Sequence, residues 1–86
     1  MPEVSRFYGI VIRMYFADHW PPHFHAEYGE HEALIGIEGL RVIAGGLPAR
    51  AFGLVAEGAL LHQPELAALW LKTQELFPLN KIEPLP

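Results

Sequence analysis

Two consecutive prolines, Pro21 and Pro22, interrupt the most functionally dense stretch of this 86-residue chain, Asp18-His19-Trp20-Pro21-Pro22-His23-Phe24-His25-Ala26-Glu27-Tyr28-Gly29. Proline lacks an amide hydrogen and disfavours helical geometry in the residue before it. His19 and His23 have the spacing that would put two rings on one face of a helix, as in a zinc protease, but the proline pair removes that helix. It also forbids regular ladder pairing at 21–22. The chain must therefore pass through a rigid loop and resume as a strand at His23.

The flanking segments read as strands. Residues 7–16 are rich in β-branched and aromatic side chains, which predicts one long strand. Tyr8, Ile10, Ile12, Met14 and Phe16 share one face at period two, and Phe7, Gly9, Val11, Arg13 and Tyr15 share the other. Gly9 reads as a bulge or a point of close packing. After the loop, residues 23–28 put His23, His25 and Glu27 on one face and Phe24, Ala26 and Tyr28 on the other. Gly29-Glu30 fits a two-residue hairpin turn with glycine first, the type II′ pattern. Residues 31–37 follow with Ala33, Ile35 and Ile37 alternating against Glu32, Leu34 and Gly36. Glu38-Gly39-Leu40 turns the chain into a short edge strand, 41–44.

The second half is helical. Pro48 suits a first helical position, where its missing donor costs nothing. Ala51, Leu54, Val55, Gly58 and Leu61 or His62 then form one stripe of a helix over 48–62. Gly53 and Gly58 each cost about 1 kcal/mol inside a helix, which predicts close packing at both. Pro64 breaks the helix near His62-Gln63 and restarts it, and Leu66, Leu69, Trp70, Thr73, Leu76 and Phe77 stripe a second helix over 64–77. His62 reads as a cap for the carbonyls that end the first helix. Pro78 ends the second, leaving 78–86 as an extended proline-rich tail. Strands first and helices after predict one α+β domain over 1–86: a mostly antiparallel sheet of about four strands, covered on one face by two helices.

Composition narrows the function classes. The chain is 51% hydrophobic, which is ample for a core, and it has no cysteine, so neither a disulfide framework nor a thiolate site exists. Its net charge is −4 and its six cations are scattered, so nucleic acid is disfavoured as a partner. The second half does not read as a DNA-binding helix pair, because its last helix exposes Glu65 and Glu75 instead of base-reading arginines. No apolar run approaches the ~20 residues of a membrane span, and Met1–Arg6 does not read as a signal peptide. The expectation is a cytoplasmic protein that does not meet a membrane.

Three kinds of chemistry fit the proline–histidine block. His19, His23 and His25, with Arg13 from the first strand, are the candidates for metal-independent acid–base cleavage of a phosphodiester or RNA, since histidine titrates near neutrality. Against this, Arg13 and Glu27 fit an ordinary cross-strand pair. Asp18, His19, His23 and His25 are the residues a metal would use, but the spacing matches no standard zinc signature, and no metal or cofactor is expected. Trp20, Pro21, Pro22, His23, His25 and Tyr28 are the candidates for a protein-binding surface, rigid aromatics being good anchors.

The run Ser5–Ile10, Met14-Tyr15, Asp18-His19 and Pro21–Gly29, with Leu47-Pro48, Leu69-Trp70 and Ile82–Leu85, resembles a family of small bacterial proteins, the domain of unknown function numbered 4160. The resemblance implies no established activity and lends no catalytic residue. It implies a toxin–antitoxin-like gene pairing, hence a small protein partner. Together these readings favour a binding module over an enzyme, with the phosphodiesterase and the histidine-based metal protein as alternatives.

Overall fold

A computed structural model describes residues 3–75. Five strands, β1 (Glu3–Phe7), β2 (Ile10–Arg13), β3 (His23–Tyr28), β4 (His31–Gly36) and β5 (Val42–Gly45), precede two helices, α1 (Ala49–Leu61) and α2 (Gln63–Gln74). The strands form one antiparallel sheet in chain order, so each hydrogen-bonds to its sequence neighbour. The fold is α+β, as the order of patterns requires, with five strands in place of four.

The extra strand comes from the segment expected to run unbroken over 7–16. Tyr8 and Gly9 both adopt positive φ, 50° and 80°, the signature of a type I′ hairpin turn. They fold the segment back so that Phe7 pairs with Ile10. Gly9 is therefore a turn residue, not a bulge. Tyr8, in the turn, and Phe16, beyond the end of β2, leave the buried row and are 60% and 43% exposed.

The remaining register follows the alternation in the sequence. Gly29 takes φ 60° and Tyr28 pairs with His31 across a two-residue turn, as a type II′ hairpin with glycine first requires. Ile12, Ala26 and Ala33 lie in one cross-strand row, and Phe24 lies against Ile35. These residues, with Val4, Ile10, Met14 and Ile37, share a buried cluster with Ala51, Val55, Ala59, Leu66, Leu69 and Trp70 from the helices. The opposite face is only partly buried and polar: Arg13, Tyr15, His25 and Glu27 are intermediate, and Glu32 is exposed.

Pro48 is the N-cap of α1, one position earlier than expected. Helix α2 starts at Gln63 with Pro64 inside its first turn, so His62 alone separates the helices. The His62 ring does not cap carbonyls; its Nδ1 lies 2.6 Å from Glu65 Oε1 in the first turn of α2. Gly58 is buried as its packing role requires. Gly53 is not: a methyl group there would meet nothing within 4 Å. Gln63 secures α2 to the segment that follows β4 by donating to the carbonyls of Ile37, at 2.7 Å, and Glu38, at 2.9 Å. Leu76, Phe77 and the 78–86 tail lie outside the described residues. No described helix is long and apolar enough to cross a membrane.

Candidate metal centre

The loop between β2 and β3 brings Asp18 to the two histidines of β3. Ala17 adopts φ 55°, a left-handed conformation that costs a non-glycine residue about 1–2 kcal/mol. Helix α2 holds it there: Ala17 N–H donates to Thr73 O at 3.1 Å, and the Gln74 side-chain amide donates to Asp18 O at 3.3 Å. The His19 N–H donates to Asp18 Oδ1 at 2.8 Å, which fixes the carboxylate and leaves Oδ2 free to turn inward.

Oδ2 meets both rings. His23 Nε2 lies 3.0 Å away and His25 Nε2 lies 3.1 Å away. His23 is buried at 4% exposure, with its ring 5.2 Å from that of Trp70. The Tyr15 and His25 rings meet nearly perpendicular, at 81°, with centroids 4.5 Å apart. One ligand-type atom from each of Asp18, His23 and His25 falls within 4.8 Å of the others.

The far sides of the rings decide the chemistry. His23 Nδ1 is 2.7 Å from the carbonyl oxygen of Pro21, which only accepts, so Nδ1 carries a hydrogen. His25 lies between two carboxylates, with Nδ1 3.3 Å from Glu32 Oε2 and Nε2 3.1 Å from Asp18 Oδ2. When both rings are neutral with the hydrogen on Nδ1, both Nε2 atoms present lone pairs towards the same carboxylate oxygen. That arrangement repels unless something positive sits among the three atoms: additional protons, or a cation. A metal-ligating histidine donates its second N–H to a carbonyl or carboxylate, and ligating carboxylates are themselves hydrogen-bonded. Each of these three residues already has that outer partner.

The field around the site is acidic. Burial raises the Asp18 pKa, but hydrogen bonds from His25 and the His19 N–H, with the charge and hydrogen bond of His23, outweigh it and hold the group below its ordinary value. Burial pushes the Tyr15 phenol up, and Glu27, Glu32 and Asp18 push it further against the opposing charge of Arg13.

The structure separates several residues that the sequence grouped. His19 contributes its backbone to Asp18, while its side chain is exposed and outside the converging set. Arg13 does not reach the rings as an acid–base partner; its Nε donates to Glu27 Oε1 at 3.1 Å, the ordinary cross-strand pair. The binding surface expected from Trp20 to Tyr28 is not one patch. His23 is buried, and Tyr28 closes β3 at its far end, on the opposite face, beside Tyr8 and Ile10. Glu32, the Pro21 carbonyl and Trp70 were missed as neighbours of the site. Of these only Glu32 left a signal: the 29–30 turn places it diagonally across from His25.

An open antiparallel sheet backed by two helices, with two imidazoles and a carboxylate converging at the start of a central strand, defines the class of this protein. The chain belongs to the family described as Domain of unknown function (DUF4160), whose profile matches residues 9–71, a span that contains every group of the cluster. No curated protein and no solved structure matches it.

Proposed function

We propose that this chain is a divalent-metal-binding module whose ligands are His23 Nε2, His25 Nε2 and Asp18 Oδ2. One observation carries the reading: both Nδ1 atoms lie against outer acceptors while both Nε2 atoms converge on the same carboxylate oxygen. Two imidazoles and a carboxylate suit a first-row transition ion, with zinc the natural probe. Ligands about 2.0–2.1 Å from zinc stand about 3.3 Å apart in a tetrahedron. The two oxygen–nitrogen separations, 3.0 and 3.1 Å, are close to that edge, and the three atoms all lie within 4.8 Å of one another. Isothermal titration with zinc is expected to give one ion per chain, lost in Asp18→Asn. An unmodified chain that binds no zinc contradicts the reading.

Metal-independent phosphodiester cleavage has less support. Its cation, Arg13, is taken up by Glu27 at 3.1 Å, and His19 lies outside the converging set. A partner-protein role has one observation in its favour: Trp20, on the loop that carries Asp18, is 78% exposed. A small protein that docks there loses its affinity in Trp20→Ala; unchanged affinity counts against that surface.

A further inference from the structure

We propose that Glu32 is a positioning residue of the metal centre, acting through His25; the inference rests on the metal reading above. The pairing of β3 with β4 puts Glu32 directly opposite Glu27. Like charges so placed destabilise a sheet. A surface that served the sheet alone would answer Glu27 with a neutral or cationic side chain. Here the nearby Arg13 is taken up by Glu27, at 3.1 Å, and Glu32 turns to the His25 ring instead.

That contact does three things for a ligand histidine. It holds the ring by its far nitrogen, it keeps the hydrogen on Nδ1, and it makes Nε2 a stronger donor. The Nδ1–Oε2 distance of 3.3 Å is longer than an optimal hydrogen bond. It shortens when a cation on Nε2 draws electrons from the ring and makes the Nδ1 hydrogen more acidic. Glu32 cannot itself be a ligand while it binds Nδ1, because Nδ1 and Nε2 point to different sides of the ring. Its effect therefore passes through His25.

Zinc affinity, read by competition with a chromophoric chelator, and the thermal midpoint of the metal-free protein test this in the full chain and in Glu32→Ala, Glu32→Gln and Glu30→Gln. Glu32→Ala is expected to weaken zinc about 10- to 100-fold. Glu32→Gln recovers part of the loss, since its amide oxygen still accepts. Glu30→Gln, the same change of charge in the adjoining turn, leaves the affinity unchanged. The metal-free midpoints of both Glu32 variants stay level or rise, because the opposition to Glu27 is gone. Undiminished affinity in Glu32→Ala, an equal loss in Glu30→Gln, or a lowered metal-free midpoint overturns the role of Glu32. Failure of the unmodified chain to bind zinc overturns the metal reading itself and is seen before any variant is made.

Discussion

Asp18 is held by three donors or rings at once, and its removal has two separable consequences. Without the carboxylate, the two Nε2 atoms have no common anion, so Asp18→Asn is expected to weaken zinc by about 100-fold or more, beyond the 10- to 100-fold typical of an outer partner. His19→Ala is expected to leave the affinity within error, because only the backbone of His19 touches the site. The second consequence concerns acid. The Asp18 carboxyl ionises more readily in the folded chain than in the unfolded one. Its contribution is fully present above the unfolded pKa of about 3.9 and is lost as pH falls through the lower folded value. Metal-free Asp18→Asn should therefore lose less stability than the unmodified chain as pH falls below about 4, as followed by circular dichroism in acid. Parallel curves for the two proteins contradict this.

At the scale of elements, β3 and its hairpin were legible and the first hairpin was not. The alternation over 23–28, bounded by Pro22 and Gly29, fixes both ends of β3 and the faces of His23, His25 and Phe24. Residues 7–16 offered no such punctuation, since an apolar run with one glycine reads equally as a strand with a bulge. What folds it back is Tyr8 in a left-handed conformation, which no side-chain preference announces. The convergence of Asp18 with the histidines was illegible for a different reason. It depends on Thr73 and Gln74, more than fifty residues away in sequence, holding the loop at Ala17 and Asp18. Gly45 provides a test at this scale. It has φ 71°, and a methyl group there would press into the carbonyl oxygen of Glu32. Gly45→Ala is expected to cost about 2–4 kcal/mol in urea unfolding, with the strain of the left-handed backbone adding to the clash. A cost below about 0.5 kcal/mol, the size of an ordinary surface change, contradicts that packing.

For the whole molecule, the helices and the site sit on different business of the same sheet: one face is spent on the core and the other carries the carboxylates and His25. A domain of this size has a stability of roughly 4–13 kcal/mol, so ligand binding at such a site is visible as stability. An ion that binds the folded chain alone stabilises it by about 2.7 kcal/mol at a free concentration 100 times its Kd. For 60–100 residues each kcal/mol moves the midpoint by about 4–8 °C, so zinc should raise it by about 10–20 °C. The shift should vanish in Asp18→Asn. An equal shift in both proteins would mean that zinc binds elsewhere.

The most direct test is the state of the five imidazoles during a zinc titration, read from long-range nitrogen–proton NMR correlations of the rings. At one equivalent, Nε2 of His23 and His25 should move to metal-bound shifts while both Nδ1 atoms remain protonated, and His19, His31 and His62 should not respond. No change at His23 and His25, or a response confined to the other three, contradicts a metal centre at Asp18, His23 and His25.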